Sequence, residues 1–439
     1  MQKAAPTSPL RPASAVLSLA LAVALAVAGC ATAPVPSPVA PAVQAATAVL
    51  PAPPPATPPP ADLAAGANAG FDRWVADFRK AASAAGIDGK TLALAFDHVQ
   101  ELPRVVELDR RQPEFTRSVW DYLDSAVSAQ RVTRGQQKLA EVQPVADAAA
   151  ARYGVPASVV AAIWGMESNY GSNYGDIPTI DALATLGFEG RREDWARGQL
   201  MAALKILQNG DIDRAHMIGS WAGAMGQTQF LPSAFLAYAV DADGDGRRDI
   251  WGSMADVTAS TANYLARSGW VPGQPWGYEV RLPAAFDLAR ADNSVRQASA
   301  RWETEGLRTA DGGALPPLTD AVVFLPAGAR GPAFLVGPNF RSILRYNNST
   351  SYALGVGLLS QRLAGGPGVS AEWPRDLAAL SRSQVQSLQA ALNQRGFASG
   401  GADGLMGPAT REGIRAWQRS QGLPADGYPT LEILQRLQP

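Results

Sequence analysis

Proline decides first where this chain can fold. Fourteen of its 34 prolines fall within the first 66 residues, a stretch with only three charged residues, Lys3, Arg11 and Asp62. Proline locks φ and has no amide N–H to donate, so a stretch this dense in it builds neither a helix interior nor a central strand. Residues 31–66, rich in Ala, Pro and Val, are expected to form a semi-rigid spacer of polyproline II character. Globular patterning starts at about residue 67. The 439-residue length allows two or three domains.

The segment before the spacer reads as an export signal. Lys3 and Arg11 precede an apolar run from Ala15 to Ala28. That run falls short of the roughly 20 residues a membrane-spanning helix needs. It ends in Val27-Ala28-Gly29-Cys30, which resembles a bacterial lipobox. Residues 1–30 are therefore expected to be a lipoprotein signal ending at Cys30, the residue that carries the lipid. Several acyl chains on one cysteine anchor stably. Ala31, in place of an Asp, favours the outer membrane. The expected location is the periplasm, on the inner leaflet of that membrane.

Residue counts then exclude whole classes of chemistry. Cys30 is the only cysteine, and His98 and His216 are the only histidines. No disulfide can form within the chain, and zinc sites built from Cys and His are nearly excluded. The formal net charge of -1 argues against a nucleic-acid partner. What remains is chemistry by carboxylates, amides and hydroxyls, with an oxygen-ligated metal as an option.

Helical periodicity dominates from residue 67. Phe71, Trp74, Phe78 and Ala81-Ala82 recur at helical spacing, and Thr91 to Val99, Arg117 to Leu139 and Gln143 to Tyr153 continue in that style. Strand-like runs are few: Glu279 to Leu282, Ala321 to Leu325 and Ala333 to Val336. Gly365-Gly366-Pro367-Gly368 marks a flexible boundary. The expectation is an α+β, mostly helical body over 67–365, a linker over 366–375 and a small helical domain over 376–439.

One carboxylate stands out. Val155, Val159, Ile163 and Met166 form an apolar helical face, Pro156 suits the first turn, and Gly171 is placed to end the helix. Glu167 then sits in the last turn of a largely apolar helix. The negative end of the helix dipole and partial burial would both raise its pKa, as a general acid requires.

The surrounding motifs carry a resemblance. Glu167-Ser168-Asn169-Tyr170-Gly171 resembles the catalytic helix end of lysozyme-like lytic transglycosylases. The run Gly219-Ser220-Trp221-Ala222-Gly223-Ala224-Met225-Gly226-Gln227-Thr228-Gln229-Phe230-Leu231-Pro232-Ser233 resembles the signature of the membrane-bound lytic murein transglycosylase B family. Asn263-Tyr264-Leu265 and Tyr346-Asn347-Asn348-Ser349-Thr350-Ser351-Tyr352-Ala353 resemble two further segments of it. The resemblance runs from about residue 70 to 365. It implies a lysozyme-like catalytic domain with helical additions. It also implies cleavage of the β-1,4 bond between N-acetylmuramic acid and N-acetylglucosamine, leaving 1,6-anhydromuramic acid. Glu167 would be the single acid/base, with Ser220, Gln229, Tyr264, Asn347 and Tyr352 at the sugar subsites and no cofactor needed for the chemistry. A glycosidase of the usual kind needs two carboxylates. Asp176, Asp181 and Glu189 are the nearest in sequence, and nothing marks them as catalytic. The glycines of 219–226 suit either close approach to sugar or tight packing.

Two more features complete the reading. Asp241-Ala242-Asp243-Gly244-Asp245-Gly246-Arg247-Arg248-Asp249 matches the first nine positions of an EF-hand calcium loop. Asp241, Asp243 and Asp245 would ligate by carboxylate and Arg247 by its carbonyl. Gly252 stands where the usual Glu is expected, and Asp256 resembles the family's replacement. A structural calcium ion is the expectation. Residues 376–439, with Asp403-Gly404 echoed by Asp426-Gly427 and a core Trp417, resemble the three-helix peptidoglycan-binding type 1 domain. Glycan strands and the outer membrane are the expected partners of a monomer. A non-catalytic wall-binding lipoprotein and a hydrolytic muramidase using Glu167 stay open as alternatives.

Overall fold

The computed structural model describes residues 61–110 and 117–438. The signal segment, Cys30 and the spacer up to residue 60 lie outside the described residues. The first helix, Ala61–Ala84, starts within the stretch read as spacer. Its start follows Pro60, and no proline recurs before Pro103, so nothing prevents the helix from beginning there.

The expected helix over Arg117 to Leu139 is two helices, Val119–Ala126 and Ala129–Glu141. Serines cause the break. The Ser118 hydroxyl accepts from the Asp121 amide and the Ser128 hydroxyl from the Arg131 amide, so each starts its own helix.

The helix Ala157–Ser168 is the axis of the body. Residues Val159 to Gly165 are all buried, so the helix is apolar on every side rather than along one face, as a fully enclosed helix must be. Helices Ala129–Glu141, Gln143–Tyr153, Met254–Arg267 and Thr350–Leu363 surround it. A second core, with Phe71, Phe78, Leu183, Leu200 and Ile206, packs Ala61–Ala84 on Thr179–Glu189 and Glu193–Asn209.

The strands form a four-stranded antiparallel sheet in the order Arg308–Thr309, Gly277–Arg281, Ala333–Val336, Val322–Phe324. Val280 faces Ala333, and Val322 faces Val336. A two-residue pair, Ile177–Pro178 with Ile218–Gly219, braces the loop that follows. Among the described residues no helix is long and apolar enough to cross a membrane.

The C-terminal part holds three helices, Arg382–Gln394, Pro408–Ser420 and Leu431–Leu437, around Leu388, Ile414, Trp417 and Leu434. The stretch read as a flexible linker is instead fastened to the body. The amides of Ser370 and Ala371 each donate to the Glu279 carboxylate at 2.7 Å. Trp373 lies against Trp120, and Arg375 holds Asp124 with both guanidinium nitrogens. Glycines in the sequence signalled freedom, but these side chains beyond them remove it.

Candidate active site

Glu167 occupies the last turn of Ala157–Ser168. The helix ends on Asn169 (φ 49°, ψ 48°) and not on Gly171 as expected from sequence. Asn169, Tyr170 and Gly171 are all left-handed, with φ of 49°, 60° and 76°. For a residue bearing a side chain that conformation costs about 1–2 kcal/mol. Buried packing of Tyr170 offsets it. Its ring meets Trp164 edge-on at 5.5 Å, and its hydroxyl donates to the Arg131 carbonyl at 3.1 Å. The Ser168 hydroxyl accepts from the Gly171 amide at 3.1 Å and closes the turn. Gly171 is required: a Cβ there would run into Gln227 Oε1, which receives the Trp164 indole N–H at 2.8 Å. The motif after Glu167 is therefore a rigid bend that fixes where the carboxyl points.

The Glu167 side chain is partly exposed, with a pKa raised to about 7. Burial is the main cause, opposed by a hydrogen bond from the Tyr352 hydroxyl to Oε1 at 2.5 Å. Tyr352 is buried on Thr350–Leu363, and its own pKa is pushed well above 10 by burial and by the Glu167 charge, so its proton stays in place to be donated. Burial and Glu167 raise Tyr122 and Tyr346 as well. Of these phenols Tyr352 is the one hydrogen-bonded to the carboxyl. Tyr352 was a sequence candidate. Tyr122 and Tyr346 were not, and Gly355 packs beside Tyr122, where a Cβ would sit 3.3 Å from the ring.

The other candidates divide. Tyr264 and Tyr346 pack at 4.7 Å and both approach Phe230. The Tyr264 hydroxyl donates to the Arg345 carbonyl and that of Tyr346 to the Thr228 carbonyl, each at 2.6 Å. This aromatic wall joins the 219–233 loop to the helices carrying Tyr264 and Tyr346. Gln229 (φ 51°) spends its amide N–H groups on the carbonyls of Tyr174 and Gly226, both at 2.9 Å. The Ser220 hydroxyl accepts from the Ala224 amide at 3.2 Å. Both hold the loop in shape. Asn347 is exposed at the end of Pro338–Tyr346. Gly219, Gly223 and Gly226 meet Ala224, Leu183 and Ile250, so their small size serves packing within the protein. Asp181 and Glu189 are taken up by Arg214 and Arg110.

The acidic loop brings together Asp241, Asp243 and Asp256, whose carboxylate oxygens lie within 4.8 Å of one another. Asp245 is turned aside onto Arg247 at 3.3 Å. Asp256 is fully buried and accepts the amides of Ala242 and Asp249, each at 2.7 Å. Its pKa is raised to about 6, first by burial and then by the charges of Asp243 and Asp241. Three clustered carboxylates, one of them buried, suit a hard cation that takes oxygen ligands.

Residues 70–361 match the Transglycosylase SLT domain, and residues 381–437 match a putative peptidoglycan binding domain. The chain belongs to the SLT transglycosylase family. Its fold is that family's lysozyme-like one, with the peptidoglycan-binding module appended. SltB3 from Pseudomonas aeruginosa, solved in complex with NAG-anhNAM-pentapeptide, is 54% identical with a TM-score of 0.81, covering 84% of this chain and 99% of that one. Escherichia coli Slt35, solved in complex with calcium, is 29% identical with a TM-score of 0.54, over 67% of this chain and 92% of that one. Membrane-bound lytic murein transglycosylase B of E. coli (strain K12) is 34% identical over 227 residues, 48% of this chain. The match spans 58% of that curated relative.

Proposed function

We propose that this SLT transglycosylase cleaves the β-1,4 bond between N-acetylmuramic acid and N-acetylglucosamine in peptidoglycan and leaves 1,6-anhydromuramic acid ends. The observation that carries this is Glu167 itself, a carboxyl raised to about 7 by burial and hydrogen-bonded by the Tyr352 hydroxyl at 2.5 Å. A carboxyl with that pKa is about half protonated at neutral pH, so it can give a proton and take one back. Glu167 protonates the glycosidic oxygen as the bond to C1 breaks. The resulting carboxylate then takes the proton of the muramoyl C6 hydroxyl as that oxygen bonds to C1. The proton count closes without water. The presence of NAG-anhNAM-pentapeptide in the SltB3 complex supports this product.

The aromatic wall of Phe230, Tyr264 and Tyr346 offers faces for sugar rings, and Gln229 and Ser220 fix the loop beside it. Asp241, Asp243 and Asp256, with the Arg247 carbonyl, would hold a calcium ion that ties the loop down and supplies no chemistry. The calcium complex of Slt35 supports this assignment. A lipid on Cys30 would anchor the protein to the outer membrane, with its folded part in the periplasm. Mass spectrometry of a sacculus digest tests the reaction. Anhydro ends are expected; reducing ends would make the protein a hydrolase, and an absence of products would leave a binding protein.

A further inference from the structure

The C-terminal module contains the same elbow twice. In the first, Gln389 donates from Nε2 to Asp403 Oδ1 at 3.0 Å and accepts the Gly404 amide at 2.9 Å. The Leu405 amide returns to Asp403 Oδ1 at 2.8 Å. In the second, Gln418 donates from Nε2 to Asp426 Oδ1 at 2.7 Å and accepts the Gly427 amide at 2.9 Å. The Tyr428 amide returns to Asp426 Oδ1 at 2.9 Å. Both glycines are left-handed, and a Cβ on either would run into an arginine carbonyl, that of Arg382 in one case and Arg411 in the other. The two elbows share these three bonds, and Gln389 adds two more, to the Leu405 carbonyl and Thr410 Oγ1, each at 3.0 Å.

Only the second is occupied. Asp426 Oδ2 accepts the main-chain N–H of Ala329 at 2.8 Å, and Tyr428 lies against Gly328. Gly328 is left-handed, with φ 67°. Arg415 adds a bond to Asp292 at 3.0 Å and Arg330 pairs with Asp376, so this side of the module is fastened to the body. In the first elbow Asp403 is exposed, its Oδ1 takes the Gln389 and Leu405 bonds, and the Arg382 guanidinium donates to its main-chain carbonyl. Leu405, the counterpart of Tyr428, is 58% exposed, which is high for a large apolar side chain.

We propose that the Asp403–Leu405 elbow is the module's site for the peptide stems of peptidoglycan. This rests on the wall-binding reading above. The occupied elbow shows what such a site takes: a main-chain N–H that follows a residue with positive φ. L-residues rarely offer that conformation, whereas D-residues adopt it as readily as L-residues adopt its mirror image. Peptidoglycan stems contain D-residues, so they can present this donor where an ordinary chain needs a glycine such as Gly328. The ionised Asp403 accepts the N–H, and Leu405 covers the residue beside it. One elbow grips the enzyme's own body, and its twin grips the wall.

The test uses the full chain in a Glu167→Gln background, so that the wall is not digested. Retention is measured on intact sacculi and on glycan strands stripped of their stems by an amidase. Asp403→Asn keeps the Gln389 contact but turns the outer acceptor into an amide N–H. It should weaken binding to intact sacculi about tenfold, the scale of one charge-assisted hydrogen bond, and leave binding to stripped strands unchanged. Leu405→Ser should act in the same direction without touching the fold, since its side chain is exposed. Retention equal to the parent in both variants would overturn the proposal. Equal loss on intact and stripped strands would overturn it too, because the elbow would then read sugar. If the parent itself fails to bind sacculi, the wall-binding reading falls and the proposal with it.

Discussion

Replacing Glu167 by Gln separates its charge from its shape. Gln still accepts the Tyr352 hydroxyl through its amide carbonyl, but it neither ionises nor transfers a proton. In the folded protein burial lifts the Glu167 pKa from 4.5 to about 7. At about 1.36 kcal/mol per pH unit this difference corresponds to about 3 kcal/mol. Below pH 4.5 the carboxyl is protonated whether the chain is folded or not, so the wild type carries no penalty there. Between pH 4.5 and about 7 the unfolded chain releases the proton while the folded one keeps it, and stability falls. Above pH 7 both forms are ionised and the loss stays near 3 kcal/mol. Glu167→Gln should therefore be about 3 kcal/mol more stable than wild type at pH 8 and indistinguishable from it at pH 4. Turnover should fall by at least the roughly 10²–10⁴-fold typical of general acid–base catalysis. Urea unfolding at the two pH values, with anhydromuropeptide release at pH 6, measures both. A stability gain independent of pH would refute the desolvated carboxyl. Activity within tenfold of wild type would move the acid elsewhere.

Tyr352→Phe removes the hydrogen bond that holds the Glu167 pKa down. The alkaline limb of the rate profile should move above pH 7 while the rate on its plateau falls, and an unmoved limb would mean that Tyr352 does not act through Glu167. Gly171→Ala places a Cβ against Gln227 Oε1 at φ 76°. The left-handed cost of about 1–2 kcal/mol and a lost Trp164–Gln227 bond worth about 1 kcal/mol give an expected 2–3 kcal/mol loss in urea unfolding. Calcium should raise the melting temperature, with a gain of about 2.7 kcal/mol at 100 times Kd. Asp241→Ala with Asp243→Ala should abolish that gain, whereas Asp245→Ala should keep most of it; a flat response to millimolar calcium would remove the ion.

What could be read from the sequence was whatever neighbouring residues dictate. Glu167 at the foot of an apolar helix is such a case, and so are the Ala333–Val336 strand and the first two helices of the module; the third, Leu431–Leu437, is implied only by the family resemblance. Errors came where distant residues decide. Glycine is the usual left-handed residue, so the sequence points to Gly171 as the end of the helix. In the structure Asn169 and Tyr170 turn left-handed first, because Tyr170 gains a buried slot beside Trp164 and a bond to Arg131. Tyr122 carries no local signal, since it packs beside Gly355, far along the chain. Asp245 pairs with Arg247 here, and Asp256, expected from the sequence, joins Asp241 and Asp243 from a separate helix.

The glycine-rich joint at 365–368 shows how such an error changes a functional argument. A flexible joint would let the module search the wall independently of the cleft. The strap instead holds Glu279, Trp120 and Asp124, and the module holds Ala329 and Asp292. A wall strand gripped by the module therefore meets the cleft in one fixed orientation. Ordering the module has already been done during folding, so binding does not repeat that entropy cost, and the second contact becomes effectively intramolecular. The contribution of the module should then appear mainly on long, stem-bearing strands that reach both the Asp403 elbow and Glu167. Short tetrasaccharide-peptides, which hold one scissile bond but are too short to span both sites, should be cleaved equally well by the intact chain and by one ending at Arg375. That shortened chain keeps Trp373 on Trp120 and Arg375 on Asp124. A loss of cleavage on short and long substrates alike would place the module's role in folding the body, not in holding the strand.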